Sequence, residues 1–116
     1  MLLLAAPRFG DPSALHSGGP DGRGDHTRET VISGEPVRLR CIVHAIPDPQ
    51  ITWYKNGREL RLDDADKYLL SRDGRQLDIR RASVDDTARY ACIARNLAGE
   101  AEKTFDVKVH GLSCLS

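Results

Sequence analysis

The sequence has no net charge and no long apolar run, and each absence excludes a class of function. Seventeen Lys and Arg residues balance seventeen Asp and Glu residues, so no overall field draws the chain to nucleic acid or to an acidic membrane surface. The apolar run near the start covers only residues 2–6, whereas a membrane-spanning helix needs about 20 apolar residues. We therefore predict no nucleic-acid partner and no membrane insertion, and we expect any charge-driven binding to be local.

Residues arranged for catalysis or metal binding are also missing. The four histidines, at positions 16, 26, 44 and 110, lack the close spacing of zinc ligands. A Gly-rich stretch, GGPDGRGD, follows no predicted strand and opens no helix, so it lacks the context of a phosphate-binding loop. The acidic residues gather in predicted turns, where Asp is favoured for conformational reasons. The sequence therefore predicts no enzyme, no cofactor and no metal site.

Composition divides the chain into three regions. Residues 1–26 are dense in Gly, Pro, Asp and Ser and show no periodic apolar pattern, so burial cannot offset the entropy of ordering this backbone. We predict a disordered leader there. Residues 27–110 carry short alternating runs separated by turn signals, which is typical of an all-β domain, and residues 111–116 are predicted to form a short tail outside the domain.

Alternation of apolar and polar residues defines the predicted strands. In VRLRCIV, residues 37, 39, 41 and 43 share one face, because side chains alternate along a strand. The pattern recurs around Trp53, Leu77 and Tyr90, and Asn56 followed by Gly57 signals a tight hairpin turn. These runs predict seven to nine strands, each with one face toward a core.

Two longer stretches, CIVHAIPDPQITWYKNGREL and LDIRRASVDDTARYACIARNLAGEAEKTFDVKV, resemble the intermediate-set (I-set) immunoglobulin domains found in tandem in adhesion molecules, matrix proteins and muscle filaments. The stretch NLAGEAEKTFDVKVH looks most like the repeats of hemicentin-type extracellular matrix proteins. The resemblance implies an all-β fold, an immunoglobulin-like antiparallel β-sandwich of two Greek-key sheets. It also implies a disulfide between Cys41 and Cys92, with the Trp53 indole packed against it.

The resemblance assigns structural roles to further residues. Tyr90, two positions before Cys92, matches a tyrosine corner, whose hydroxyl bonds to the backbone upstream. Asp86 lies in the turn before that strand, where its carboxylate is expected to accept hydrogen bonds from the backbone or from Arg. The predicted core consists of Leu39, Trp53, Leu77, Ile79, Asp86, Tyr90 and Phe105.

One face of the predicted sandwich is a candidate protein-binding surface. Exposed Tyr and Ile beside Arg are the residue types that anchor protein contacts. An ordinary surface also shows scattered apolar side chains, and this alternative stays open. Regular alternation places the following residues on the outward side of the sheet that contains Cys92: Thr52, Tyr54, Arg89, Ala91, Ile93 and Thr104.

The opposite sheet carries a candidate site for sulfated glycosaminoglycans. Arg38, Arg40 and Arg80 are predicted to form an outward stripe, and the guanidinium group of Arg makes bidentate contacts with sulfate-like anions. Asp78 lies among these arginines. A solvated face on which the arginines pair with local acids is the alternative interpretation.

A candidate integrin motif lies in the leader. Arg23, Gly24 and Asp25 form the tripeptide that integrins recognise, in which Arg and Asp reach opposite charges on the receptor. Gly allows the tight bend between them. A three-residue match also arises by chance in a segment this rich in Gly and Asp.

The resemblance favours a non-catalytic spacer or adhesion module in a secreted, extracellular tandem array. Its partners would be neighbouring immunoglobulin domains and other matrix or cell-surface proteins. Two alternatives stay open: a module of a cytoplasmic muscle or cytoskeletal protein, whose cysteines stay reduced, and a receptor ectodomain that binds a protein ligand or heparin. The third cysteine, Cys114, would be unpaired in the tail.

Overall fold

Ten strands and one short helical turn are found among the residues that the structure describes. The computed structural model of the chain describes residues 4–9, 26–62 and 66–111. A 3-10 helical turn covers Val84–Asp86. The strands are β1 (Ala5–Phe9), β2 (His26–Ile32), β3 (Val37–Arg40), β4 (Val43–Ile46), β5 (Gln50–Lys55), β6 (Arg58–Glu59), β7 (Tyr68–Leu70), β8 (Gln76–Ile79), β9 (Ala88–Asn96) and β10 (Gly99–His110).

These strands form two main sheets and a small third one. The larger sheet has five strands in the order β2-β10-β9-β5-β6, and the smaller has three in the order β3-β8-β7. Strands β1 and β4 pair separately. All pairs are antiparallel except β2 with β10, which run parallel from His26 beside Thr104 to Ile32 beside His110. None of the described segments forms a helix with the length and apolar character needed to span a bilayer.

The core lies between the five-stranded and three-stranded sheets. All seven residues predicted for it are buried, and the exposed fraction is 3% or less for each. Trp53 occupies the centre: its ring stacks on Phe105 with ring centres 5.6 Å apart, and its Nε1–H donates to the Gly74 carbonyl at 2.7 Å. The polar edge of the indole is therefore satisfied although the side chain is buried.

A disulfide between Cys41 and Cys92 crosses this core. The two Cα atoms are 6.4 Å apart, within the usual range for a bridged pair. Cys92 lies directly opposite Trp53 in the register of β9 and β5. Because the bridge closes a loop with a sequence separation of 51, the chain-entropy model gives about 4 kcal/mol of stabilisation.

A tyrosine corner closes one end of the sandwich. The Tyr90 hydroxyl donates to the Asp86 carbonyl at 2.8 Å, and burial raises the pKa of Tyr90, so the phenol keeps the proton that it donates. Asp86 accepts the Ser83 backbone N–H at 2.8 Å, as expected for an acid in this turn. Its charged partner is Lys67 and not an arginine.

The predicted leader differs from the structure at both of its described parts. Residues 5–9 form β1 and His26 begins β2, where the composition had predicted disorder. Pro7 is buried, Phe9 packs against the core, and β1 pairs with β4. Such long-range contacts offset the ordering cost that local composition alone suggested. The domain bounds of 27–110 and the tail of 111–116 stay predictions.

Candidate protein-binding face

The outward side of the five-stranded sheet holds all six residues predicted for the candidate face. In the register of the sheet, Tyr54, Ala91 and Thr104 form one row across β5, β9 and β10. Thr52 and Ile93 belong to the next row, and Arg89 precedes Ala91 on the same face of β9. Arg89 is exposed, Ala91 is 8% exposed, and the other four are half-buried. The structure thus brings the six together, while their role in binding stays a prediction.

A shallow depression of about 640 Å³ lies on this face. Its floor is Ala91, whose side chain is only a methyl group. Larger side chains surround that methyl group on four sides: Tyr54 and Thr104 across the sheet, and Arg89 and Ile93 along β9. The difference in side-chain length creates the concavity, and apolar groups line its base.

The hairpin turn between β5 and β6 closes one end of the depression. Asn56 and Gly57 both have positive φ, at 51° and 83°, as the predicted tight turn requires. Asn56 fixes the turn to β9, because its N–H donates to the Arg89 carbonyl at 2.8 Å and its Oδ1 accepts the Arg89 N–H at 3.1 Å. The turn was predicted, but its place at the edge of the candidate face was not.

An ion-pair network lies beside the depression on the side of Arg89. Arg89 Nε donates to Asp106 Oδ1 at 2.8 Å, and His26 Nε2 lies 2.9 Å from Asp106 Oδ2. The hydrogen bond from Arg89 holds the pKa of Asp106 below its usual range and raises that of Arg89. Both groups are therefore charged at neutral pH, and the charge of Arg89 is compensated within the molecule.

A second ion pair lies beyond the opposite end of the depression. Arg95 Nε donates to Glu100 Oε1 at 2.9 Å, and these two residues are direct cross-strand neighbours. Between the two ion pairs, Glu102 lies opposite Ile93. Glu102 is exposed and has no ion-pair partner among the described residues. Sequence reasoning missed Glu102, although its place two residues before Thr104 on the same strand was a usable signal.

The outward side of the three-stranded sheet carries the predicted arginine stripe. Arg38 Nε donates to Asp78 Oδ1 at 3.3 Å, so one arginine of the predicted stripe pairs with the local acid. Arg40 and Arg80 are exposed. Glycosaminoglycan binding by this stripe stays a prediction, and so does the alternative of a solvated, locally paired face. Among the described residues, no three His, Cys, Asp or Glu side chains are placed to hold a metal ion.

The candidate integrin triplet cannot be placed on either face. Arg23, Gly24 and Asp25 lie outside the described residues. Cys114 also lies outside them. Integrin binding and the role of the third cysteine therefore stay predictions.

Comparison with known proteins yields one family and many relatives. The family model for the immunoglobulin I-set domain matches residues 24–109. Hemicentin-1 from Mus musculus is 41% identical over 100 residues, which is 85% of this chain and 2% of hemicentin-1. Neural cell adhesion molecule 1 from Bos taurus is 38% identical over 80 residues, covering 69% of this chain and 9% of that protein. The chain thus spans only a small part of these relatives.

A solved structure shows the same architecture. The crystal structure of the complex of titin M10 with an obscurin-like 1 immunoglobulin domain aligns with a TM-score of 0.67 and 29% identity. The alignment covers 90% of this chain and 94% of the matched chain. The described strands therefore follow the fold of a known immunoglobulin domain.

Proposed function

We propose, since the chain belongs to the immunoglobulin I-set domain family, that it is a non-catalytic protein-interaction module of an extracellular tandem-immunoglobulin protein. It would bind other proteins through the outward face of the five-stranded sheet. Members of this family are typically structural or binding modules. The adhesion role named for the neural relative and the complex named for the titin relative support protein binding as the activity.

The depression on this face is the observation that carries the proposal. A flat, fully polar sheet surface offers a partner no pocket to fill. Binding hot spots form where a side chain of the partner fills a desolvated pocket. Here Ala91 and Ile93 supply an apolar base, and Tyr54 supplies an aromatic wall. The ion pairs at either end provide the polar rim that surrounds the centre of a typical interface.

Photo-cross-linking on the full chain tests this proposal. One variant would carry p-benzoylphenylalanine in place of Ile93, and a matched control would carry it in place of Arg38 on the opposite sheet. Each would be irradiated on matrix deposited by cultured cells. We expect a protein adduct from position 93 and little adduct from position 38. Equal yields from both positions, or no adduct from position 93, would contradict the proposal.

The extracellular location is supported by the disulfide and by the resemblance to hemicentin-type matrix proteins. Disulfides persist in oxidising compartments and are rare in the cytosol. The predicted partners are neighbouring immunoglobulin domains and other matrix or cell-surface proteins. Integrin binding through Asp25 is a separate part of this proposal. Loss of cell attachment in Asp25→Ala would support it, and attachment that survives the substitution would exclude it.

A cytoplasmic muscle or cytoskeletal module is the second candidate, favoured by the structural match to a chain of the complex of titin M10 with an obscurin-like 1 immunoglobulin domain. Thiol counting on protein from its native compartment separates the two. The sequence has three cysteines, so one reactive thiol after denaturation means that two of them are paired, as the extracellular proposal requires for Cys41 and Cys92. Three reactive thiols would favour the cytoplasmic candidate.

A further inference from the structure

We infer that the depression receives a basic side chain, arginine or lysine, from a protein partner, with Glu102 as its counter-charge. This inference rests on the proposed function and specifies the chemistry of the partner. Three features of the face lead to it: the pattern of cross-strand pairs, the compensation of nearby charges, and the shape of the cavity beside Glu102.

The cross-strand pairs between β9 and β10 break their pattern at the depression. On the outward side, Arg89 with Asp106 and Arg95 with Glu100 are direct opposite-charge pairs. Such pairs stabilise a sheet. Two rows lie between them: Thr104 opposite Ala91, and Glu102 opposite Ile93, where no opposite charge faces the carboxylate. The Glu102 carboxylate therefore makes no cross-strand ion pair that stabilises the sheet, and it is available to a binding partner.

Local charges do not neutralise this carboxylate. Arg89 is bound to Asp106 and Arg95 to Glu100. Lys103, next in sequence to Glu102, extends its ammonium group over the Phe105 ring at 5.3 Å from the ring centre. Each of these cations thus has a partner of its own. Among the described residues, none of these three cations is therefore paired with Glu102.

The shape of the depression suits a long side chain with a charged end. Ala91 leaves room for an aliphatic stem above the floor, and Ile93 lines the base beside it. Glu102 lies at the edge of the same depression, where an ammonium or guanidinium group would arrive. Tyr54 adds an aromatic wall, and aromatic rings attract cations. Arg and Lys combine the apolar stem and the charged end in one side chain.

Nuclear magnetic resonance titration with N-acetyl-arginine methylamide tests this inference on the full chain. We expect shifts of the backbone amides of Ala91, Ile93 and Glu102, with much smaller shifts for the isosteric, uncharged citrulline probe. Glu102→Gln should raise the Kd of the arginine probe about two- to fivefold, the effect of one exposed charge pair. Asp48→Asn, which removes an exposed acid in the loop between β4 and β5, is the control, and it should leave this Kd unchanged.

Three results would overturn the inference: no shifts in the depression with the arginine probe, equal binding of the citrulline probe, or a Glu102→Gln variant that binds as the wild type does. The cross-linking experiment at position 93 distinguishes this failure from failure of the proposed function. If position 93 yields an adduct while Glu102→Gln leaves the Kd of the arginine probe unchanged, the proposed binding face is supported. Only the inference of a basic side chain from the partner is then contradicted.

Discussion

The two faces of strand β9 differ in what their residues are needed for. Tyr90 and Cys92 point inward and are fully buried, and each has a defined bonding partner in the core. Ala91 and Ile93 point outward, where they form the floor of a depression. Because side chains alternate along a strand, a single stretch carries the structural residues on one side and the candidate binding residues on the other. Substitutions on the two faces should therefore have separable effects.

The largest expected effect is the loss of stability when the inner face loses its central ring. Trp53→Ala removes the stacking on Phe105 and leaves the Gly74 carbonyl without its donor. We expect the free energy of unfolding, measured by urea titration, to fall by about 3–5 kcal/mol. The neighbouring outward variant Thr52→Ala is the control, with an expected change within about 1 kcal/mol. Similar losses in the two variants would break the proposed separation of faces.

A smaller loss is expected at the tyrosine corner. Tyr90→Phe keeps the buried ring but removes the hydroxyl that donates to the Asp86 carbonyl, so we expect a loss of about 1–3 kcal/mol. Tyr54→Phe is the matched control on the outer face, because no hydrogen bond of its hydroxyl is found among the described residues. Its free energy of unfolding should change by less than about 0.5 kcal/mol. If Tyr54→Phe lowered the free energy of unfolding more than Tyr90→Phe does, the assignment of Tyr90 to the structural face and Tyr54 to the outer face would be wrong.

The ion-pair network on the outer face predicts a modest dependence of stability on pH. The hydrogen bond from Arg89 lowers the pKa of Asp106 below its ordinary value of 3.8. The stability that this pair contributes is therefore fully present above that value and is lost as pH falls through the lower pKa of the folded state. We expect Asp106→Asn to cost about 0.2–1 kcal/mol at pH 7 and little in strong acid. Asp73, whose pKa is also lowered, remains in both proteins, so their difference isolates Asp106. A difference that persists unchanged at pH 2 would contradict this account.

At the floor of the depression, the effect on binding should exceed the effect on stability. Ala91→Leu fills the depression from an outward position outside the core cluster. Because Ala91 is only 8% exposed, the added bulk should lower the free energy of unfolding by about 1 kcal/mol. Binding of the arginine probe should be lost, because the space above the floor is gone. Unchanged probe binding in a folded Ala91→Leu variant would show that the depression is not the binding site.

Sequence reasoning captured the inner face well, for a physical reason. Burial restricts residue type strongly, so the alternation around Trp53 and Tyr90 and the spacing of Cys41 and Cys92 identify core positions. Residues 5–9 escaped prediction, because β1 depends on contacts with distant parts of the chain. One of these is the donation of Asn96 Nδ2 to the Ala5 carbonyl at 2.9 Å. No local pattern records such a contact.

The outer face was predictable only in part. Alternation was sufficient to group Tyr54, Ala91 and Ile93 on one side, but it gives no relative register of neighbouring strands. The position of Glu102 opposite Ile93, and not opposite an arginine, depends on that register. Lys67 as the charged partner of Asp86 was missed for the same reason, since the pair joins segments that are distant along the chain.

The central claim is that outward residues of β9 form the binding surface while inward residues maintain the fold. The most direct test is the yield of protein adduct from p-benzoylphenylalanine at position 93, measured with and without Ala91→Leu in proteins of matched stability. The account predicts a clear adduct that disappears when the depression is filled. An adduct yield that Ala91→Leu leaves unchanged would contradict it.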